Sequence, residues 1–438
     1  MIKEMRLDIS NFGPIKEANI ELKKLNVIAG NNGSGKSTSS KLLSCFLTAN
    51  SKEGYYLANK SIYDRFVSFI FKWEDKLLLS DSDSIDIPNP MINLLGTRNI
   101  ARESSFNQFM KINFKKICDI IDDFDFPNKD MFIEEFESLK KLLDFNKDEH
   151  HRYFNVTNVL LNSEFNFSEL KVYDNAHVHF YGSMNDCRFS HEIDFNKDRI
   201  GAKISSGYIN CLNFEDVVYL DSPSIFDFNE IAHLRARNSP NHLKLLSNQI
   251  NAVKDESDVY DGDYYQKIIE FQNEFENLLD GKIYFDSKKR DFVFKKGNQT
   301  YSMKNTASGV KQMGIIQILL ENRVLKENSF LIIDEPEVNL HPEWQVNFAK
   351  ILVLLIKELN IYLYINSHSP QFIEAIEVYS AKYGLIDDSK FYLSKENEDG
   401  FIFKDIQREN LSILYDNLGN PYDVLDKIRA ENMANGIF

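Results

Sequence analysis

The chain has 438 residues, 43% hydrophobic and 27% charged, with a formal net charge of −15. Such a balance is that of a soluble globular protein with room for one large domain or a few smaller ones. It excludes a uniformly basic nucleic-acid coat, so any contact with phosphates must come from a local patch.

The four cysteines (Cys45, Cys118, Cys187 and Cys211) are far apart and form no CxxC spacing, so neither a zinc ribbon nor a disulfide scaffold is indicated. The opening MIKEMRLDIS has no apolar core of a secretory signal. The longest apolar stretch, ILVLLIKELNIYLYIN, is interrupted by Lys357 and Glu358 and is too short to span a bilayer. The expectation is a reduced, cytoplasmic protein without a membrane partner.

Met5, Leu7 and Ile9 alternate with polar residues, the period of a half-buried strand. Asn11 to Pro14 supplies a turn. Ile20 and Leu22 begin a second expected strand, and Leu25–Ala29 form a third. A glycine-rich loop and a helix from Lys36 to about Leu47 follow. Residues 51–165 carry long helix-like runs rich in Phe, Ile, Asp and Lys and read as an inserted helical lobe. Short strands return between 166 and 222. Tyr264, Ile268, Phe271, Phe275 and Leu278 then mark one face of a helix. The last third alternates: a helix over Val310–Val324, a strand at Phe330–Asp334, a helix over Pro342–Leu359 and a strand at Ile361–Asn366. A helix, the strand pair Lys390–Leu393 and Phe401–Phe403, and closing helices are expected after His368.

Gly30 to Ser37 (GNNGSGKS) fits the phosphate-loop pattern G-x-x-x-x-G-K-[ST], between a predicted strand and a predicted helix. Glycines let backbone N–H groups converge on phosphate oxygens, and the helix adds its positive dipole end. Asn31, Asn32, Gly33, Ser34, Gly35, Lys36, Ser37 and Thr38 are thus the candidate nucleotide-binding residues. Lys36 would neutralise the β- and γ-phosphates, Ser37 would ligate Mg²⁺, and Thr38 is placed to reach the α-phosphate. SFLIIDE at Ser329–Glu335 reads as a buried strand with two carboxylates at its C-terminal edge, where open α/β sheets bind ligands. Asp334 would hold Mg²⁺, and Glu335 would orient or deprotonate the attacking water. ATP and Mg²⁺ are the expected cofactors.

Four segments together, GNNGSGKST, SGVKQ, LIIDEPEVNLHP and NSHSP, resemble the ABC-type ATPase heads of the RecF, structural-maintenance-of-chromosomes and OLD proteins. The opening LDISNFGPIKEANIELKKLNVIAG resembles their N-terminal hairpin. The resemblance implies an α/β P-loop NTPase fold of the ABC-ATPase type, with an N-terminal antiparallel β subdomain and a mostly helical insertion. It divides the chain into a split head (1–50 and 166–375), an inserted lobe (51–165) and a C-terminal α/β tail (376–438). Ser308 and Gly309 resemble the signature core that caps the γ-phosphate of a second head, so the resemblance implies at least an ATP-sandwiched homodimer. His368 takes the place of the switch histidine, beside Glu335 and Lys36 as the catalytic set. Two departures stand out: Thr306-Ala307 precedes the signature serine where a hydrophobic residue is common, and the usual Q-loop glutamine has no assigned counterpart.

Stand-alone ATPases of anti-phage systems, PtuA-like and AriA-like, resemble this organisation. They imply a separately encoded nuclease or toxin as partner. The alternative is a RecF-like DNA-repair or chromosome-maintenance ATPase, with DNA as partner. A transporter subunit fits poorly, and no TOPRIM nuclease fits after His368. His177 and His179 share one strand face as a metal pair without an evident third ligand, so a structural or solvated role is the expected one. Arg235, Arg237, Lys288, Lys289 and Arg290 read as solvated basic residues.

Overall fold

The computed structural model describes residues 2–73, 103–123, 127–165, 172–184, 187–196, 199–203, 214–226, 240–251, 262–286 and 291–434. Arg235, Arg237, Lys288, Lys289 and Arg290 lie outside the described residues.

Strands β1 (Ile2–Phe12), β2 (Ile15–Glu21) and β3 (Leu25–Ala29) open the chain. β4 (Val172–Met184), β5 (Cys187–Asn196), β6 (Arg199–Lys203) and β7 (Val217–Leu220) follow the helical segments. β8 (Lys282–Asp286), β9 (Asp291–Lys296) and β10 (Gln299–Ser302) make a small antiparallel sheet. β11 (Phe330–Asp334), β12 (Tyr362–Ser367), β13 (Ser389–Asn397) and β14 (Gly400–Asp405) complete the set.

One sheet of eleven strands runs β6-β5-β4-β1-β2-β14-β13-β3-β12-β11-β7. From β13 to β7 every neighbour is parallel, and β6-β5-β4-β1-β2 is antiparallel. The sequence explains the division. β3, β7 and β11 are buried at every position, as strands covered on both faces must be. β1 instead buries Met5, Leu7 and Ile9 between half-exposed residues, as a strand with one wet face does.

β2 begins at Ile15, earlier than the apolar pattern suggests. Asn11 and Gly13 adopt positive φ (55° and 57°), which closes a tight turn and brings Phe12 opposite Ile15. Within 376–438, the range expected from sequence to form a C-terminal α/β tail, two strands join the main sheet. β13 pairs with β3 in parallel and β14 pairs with β2.

Helices Ser308–Glu321 and Pro342–Leu359 supply much of the core against the parallel strands. The second is firmly delimited. His341 Nδ1 accepts from the Glu343 N–H, Pro342 stands in the first turn, and Asn360 ends the helix at φ 55° with its N–H on the Ile356 carbonyl.

Contacts divide the chain into two units, 1–47 with 161–438, and 48–160. The smaller unit is helical (Lys52–Lys72, Glu103–Asp123, Lys129–Lys147 and most of Glu149–Glu164). Its core is aromatic, with Phe66, Phe69, Trp73, Phe106, Phe132 and Phe136 packed together. Among the described residues no helix is long and apolar enough to cross a membrane.

Ile333 of β11 is fully buried beneath the acidic strand end. Ile333→Ala is expected to destabilise the larger unit by about 2–5 kcal/mol through lost apolar burial and the cavity left behind. Equilibrium denaturant unfolding measures it; a loss within about 0.5 kcal/mol would contradict this account of the core.

Candidate nucleotide site

The phosphate loop is shaped by its glycines. Gly33 and Gly35 take φ +77° and +88°, a region that side chains rarely enter. A Cβ on Gly35 would also stand 2.6 Å from Ile15 Cγ1. β3 delivers the loop, the helix Lys36–Ala49 leaves it, and the Gly30 N–H donates to the Ser367 carbonyl at 3.3 Å. From β13, the Ser394 hydroxyl donates to the Ser34 carbonyl at 2.8 Å, fixing the loop from outside. Asn31, Asn32, Gly33 and Ser37 are exposed, Thr38 is half-buried, and Ser34, Gly35 and Lys36 are buried.

Lys36 folds back over this loop. Its Nζ donates to the carbonyls of Gly30 at 2.7 Å and Asn31 at 2.8 Å. Burial pushes its pKa down, while Glu335, Glu337 and Asp334 act in the opposite sense. Those three carboxylates therefore share the electrostatic environment of the lysine, although about 300 residues of sequence separate them from it.

Asp334 sits at the end of β11, opposite Asn366 of β12 in parallel register. Its Oδ1 accepts from Ser40 Oγ at 2.8 Å and from Asn366 Nδ2 at 2.6 Å. Its Oδ2 accepts from the Tyr219 hydroxyl at 2.9 Å. Burial pushes the carboxyl pKa up, and hydrogen bonds from Ser40, Ser37, Tyr219 and Asn366 oppose that shift. Ser37 and Asp334 thus lie within hydrogen-bonding reach of each other.

The chain turns sharply after Asp334. Glu335 takes φ 50°, and its N–H donates to the Asn366 carbonyl at 2.8 Å. A left-handed glutamate costs about 1–2 kcal/mol locally, and it marks the position that ends the strand. Glu337, two residues on, is buried. Its Oε1 accepts from Ser367 Oγ at 2.8 Å, the His368 N–H at 2.9 Å and the Ser369 N–H at 3.1 Å. His368 Nδ1 lies 3.5 Å from Glu335 Oε1 and 3.3 Å from Glu337 Oε1. Lys36, Ser37, Asp334, Glu335 and His368 are therefore gathered at one edge of the sheet.

Ser308 and Gly309 have a different neighbour. They open the Ser308–Glu321 helix, and Gly309 lies against the loop after β11: a Cβ there would stand 2.3 Å from Leu340 Cδ2. Among the described residues no hydrogen bond joins either residue to the phosphate loop of the same chain.

Several residues of this site escape a reading of sequence motifs. Glu337 and Asn366 lie inside the recognised segments LIIDEPEVNLHP and NSHSP, and Ser40 lies two residues past the phosphate-loop motif, so position alone could have nominated them. Tyr219 and Ser394 had no such signal. Behind Tyr219 lies a buried ionic group. His242 Nδ1 is 2.5 Å from Glu164 Oε2 and its Nε2 is 3.0 Å from Asp221 Oδ2, and the His242 ring packs on Tyr219 at 4.8 Å. Burial works against a charge on His242, but hydrogen bonds to Asp221 and Glu164 win and hold its pKa up at about 9.

Glu337→Ala removes the acceptor for three donors and is expected to cost about 1–3 kcal/mol, read as a lowered thermal midpoint. Glu337→Gln keeps one acceptor oxygen and should lose less; equal losses would contradict the hydrogen-bond account. For His242 the pKa is raised in the folded state from 6.5 to about 9, so its stabilising contribution is complete below about pH 6.5 and is lost as pH rises through about 9. His242→Asn should flatten that region of the profile of thermal midpoint against pH. An unchanged slope would show that His242 is not charged in the fold.

The loop after β3 and the acidic end of β11 lie on the parallel half of a mixed α/β sheet whose other half is antiparallel. Among solved structures, the chain is similar to the SMC head domain from Thermotoga maritima (11% identity, TM-score 0.40, covering 93% of this chain and 100% of that one). It is also similar to an Smc head bound to the C-winged helix domain of ScpA (12%, 0.46, 93% and 98%). A third is an Smc head with an extended coiled coil bound to the C-terminal domain of ScpA from Pyrococcus furiosus (12%, 0.43, 98% and 100%). Comparison with curated proteins finds no significant match. The family model of the AAA ATPase domain matches residues 1–373, and the chain belongs to that ATPase family.

Proposed function

We propose that this chain is a Mg²⁺-dependent ATPase that closes as an ATP-sandwiched homodimer and thereby controls a separately encoded effector, a nuclease or toxin, in a bacterial anti-phage system. The observation that carries the catalytic half of this reading is the gathering of Lys36, Asp334, Glu335 and His368 at one sheet edge. The effector and its control rest on the resemblance of the motif set to stand-alone defence ATPases.

In this reading the N–H groups of 31–38 bind the phosphate oxygens. Lys36 leaves the Gly30 and Asn31 carbonyls and turns to the β- and γ-phosphates. The oxygen donors of Ser37 and Asp334 suit a hard divalent cation, and they would hold Mg²⁺. When bound, that ion supplies neutralisation of the phosphate charge. Glu335 orients the attacking water and accepts its proton. His368, between Glu335 and Glu337, hydrogen-bonds the γ-phosphate and registers its loss. Ser308 and Gly309 of the second copy cap the same phosphate, and in their own chain no hydrogen bond among the described residues joins them to the phosphate loop.

Glu335→Gln is the test. It should slow hydrolysis by about 10²–10⁴-fold while retaining ATP. Native mass measurement with ATP should show the dimer accumulate in this variant, together with the protein encoded beside it. Hydrolysis at the unmutated rate would remove Glu335 as the base. A mass unchanged by ATP would remove the sandwich. DNA-stimulated hydrolysis with a steep salt dependence, and no co-purifying neighbour, would favour a DNA-repair role instead.

A further inference from the structure

The antiparallel half of the sheet carries a cluster of imidazole and carboxylate side chains, away from the phosphate loop and the acidic end of β11. β4 and β5 pair so that His177 stands opposite Asp194, His179 opposite Glu192 and Tyr181 opposite Ser190. The period of two puts these side chains on one face, half-exposed. Val178, Phe180, Ile193 and Phe195 point into the core from the other.

We propose that His177, His179 and Glu192 form a site for a zinc-class divalent cation on this outer face. One donor atom from each of the three lies within 4.8 Å of the others. Donors around one tetrahedral zinc sit about 3.3 Å apart, so small side-chain rotations suffice. His179 Nε2 and Glu192 Oε1 are already 3.7 Å apart.

The surroundings are those of an oriented ligand set. Asp194 Oδ1 lies 2.8 Å from His177 Nδ1, which leaves Nε2 as the free nitrogen of that ring. A carboxylate behind a ligating imidazole is the usual outer partner in zinc sites. His179 stacks on Tyr181 at a centroid distance of 4.2 Å, which fixes its ring plane. Its Nε2 also hydrogen-bonds Ser190 Oγ at 2.8 Å; a cation between His179 and Glu192 would move that hydroxyl to an outer position.

Two imidazoles and a carboxylate prefer zinc, cobalt, nickel or copper to magnesium. The site is therefore chemically distinct from the oxygen-only set at Ser37 and Asp334. A ladder from β1 through β4 to β5 holds it in place, so the donors need no folding step to meet.

Titration of the chelator-stripped full chain with Co²⁺, in millimolar Mg²⁺ to fill oxygen sites, tests the inference. About one equivalent should bind with the strong visible absorption of four- or five-coordinate cobalt, and Zn²⁺ should displace it. His177→Ala and His179→Ala should each abolish the band, His179→Gln should do the same without opening a cavity, and Asp194→Asn should weaken binding about 10–100-fold. Circular dichroism confirms that the variants fold. Absorption no stronger than that of hydrated Co²⁺, or a band that survives in the His177→Ala/His179→Ala double variant, would overturn the proposal and leave ordinary histidine–carboxylate pairs.

Discussion

The Asp334 carboxylate is the point at which separate stretches of the chain are tied together. It accepts hydrogen bonds from Ser40 on the helix after the phosphate loop, from Asn366 on β12 and from Tyr219 on β7. A buried carboxylate with its lone pairs unmet is costly, so each donor must be in place for the others to be tolerated. The same bonds bring the phosphate loop to the acidic end of β11. Sheet register and the position of the phosphate loop therefore depend on one satisfied group.

Glu337 has a comparable role in the loop that follows. A single oxygen gathers one hydroxyl and two backbone N–H groups from Ser367, His368 and Ser369. The start of the Pro370–Lys382 helix is thereby fixed relative to the loop after β11, and Ser369 caps that helix through the Phe372 N–H. The His368 ring is held between the carboxylates of Glu335 and Glu337. A positive-φ Glu335 beside it is the local cost of aiming the acid away from the strand.

The polar network extends past the site. Tyr219 joins Asp334 to the ring of His242, which is paired with Glu164 and Asp221. Charged groups at such depth persist only when mutually compensated. A pH-sensitive contribution from His242 would therefore reach the strand that carries Tyr219.

The sequence alone determined the elements whose chemistry is contiguous. The phosphate loop, the apolar strand ending in Asp334-Glu335 and the Asn366–Pro370 segment are each short runs in which residue order already encodes the local geometry. Buried strands and amphipathic helices were legible for the same reason, since period and burial are properties of neighbouring residues. The partners brought from afar emerge only once the strands have paired. Ser394 reaches the loop because β13 pairs with β3, and Glu192 meets His179 because β4 and β5 adopt one register and not the next. The place of 389–405 inside the main sheet belongs with them. A strand's composition states that it will be buried, but not beside which strand. That choice is made by packing and hydrogen-bond closure over the whole sheet, to which no local window of sequence has access.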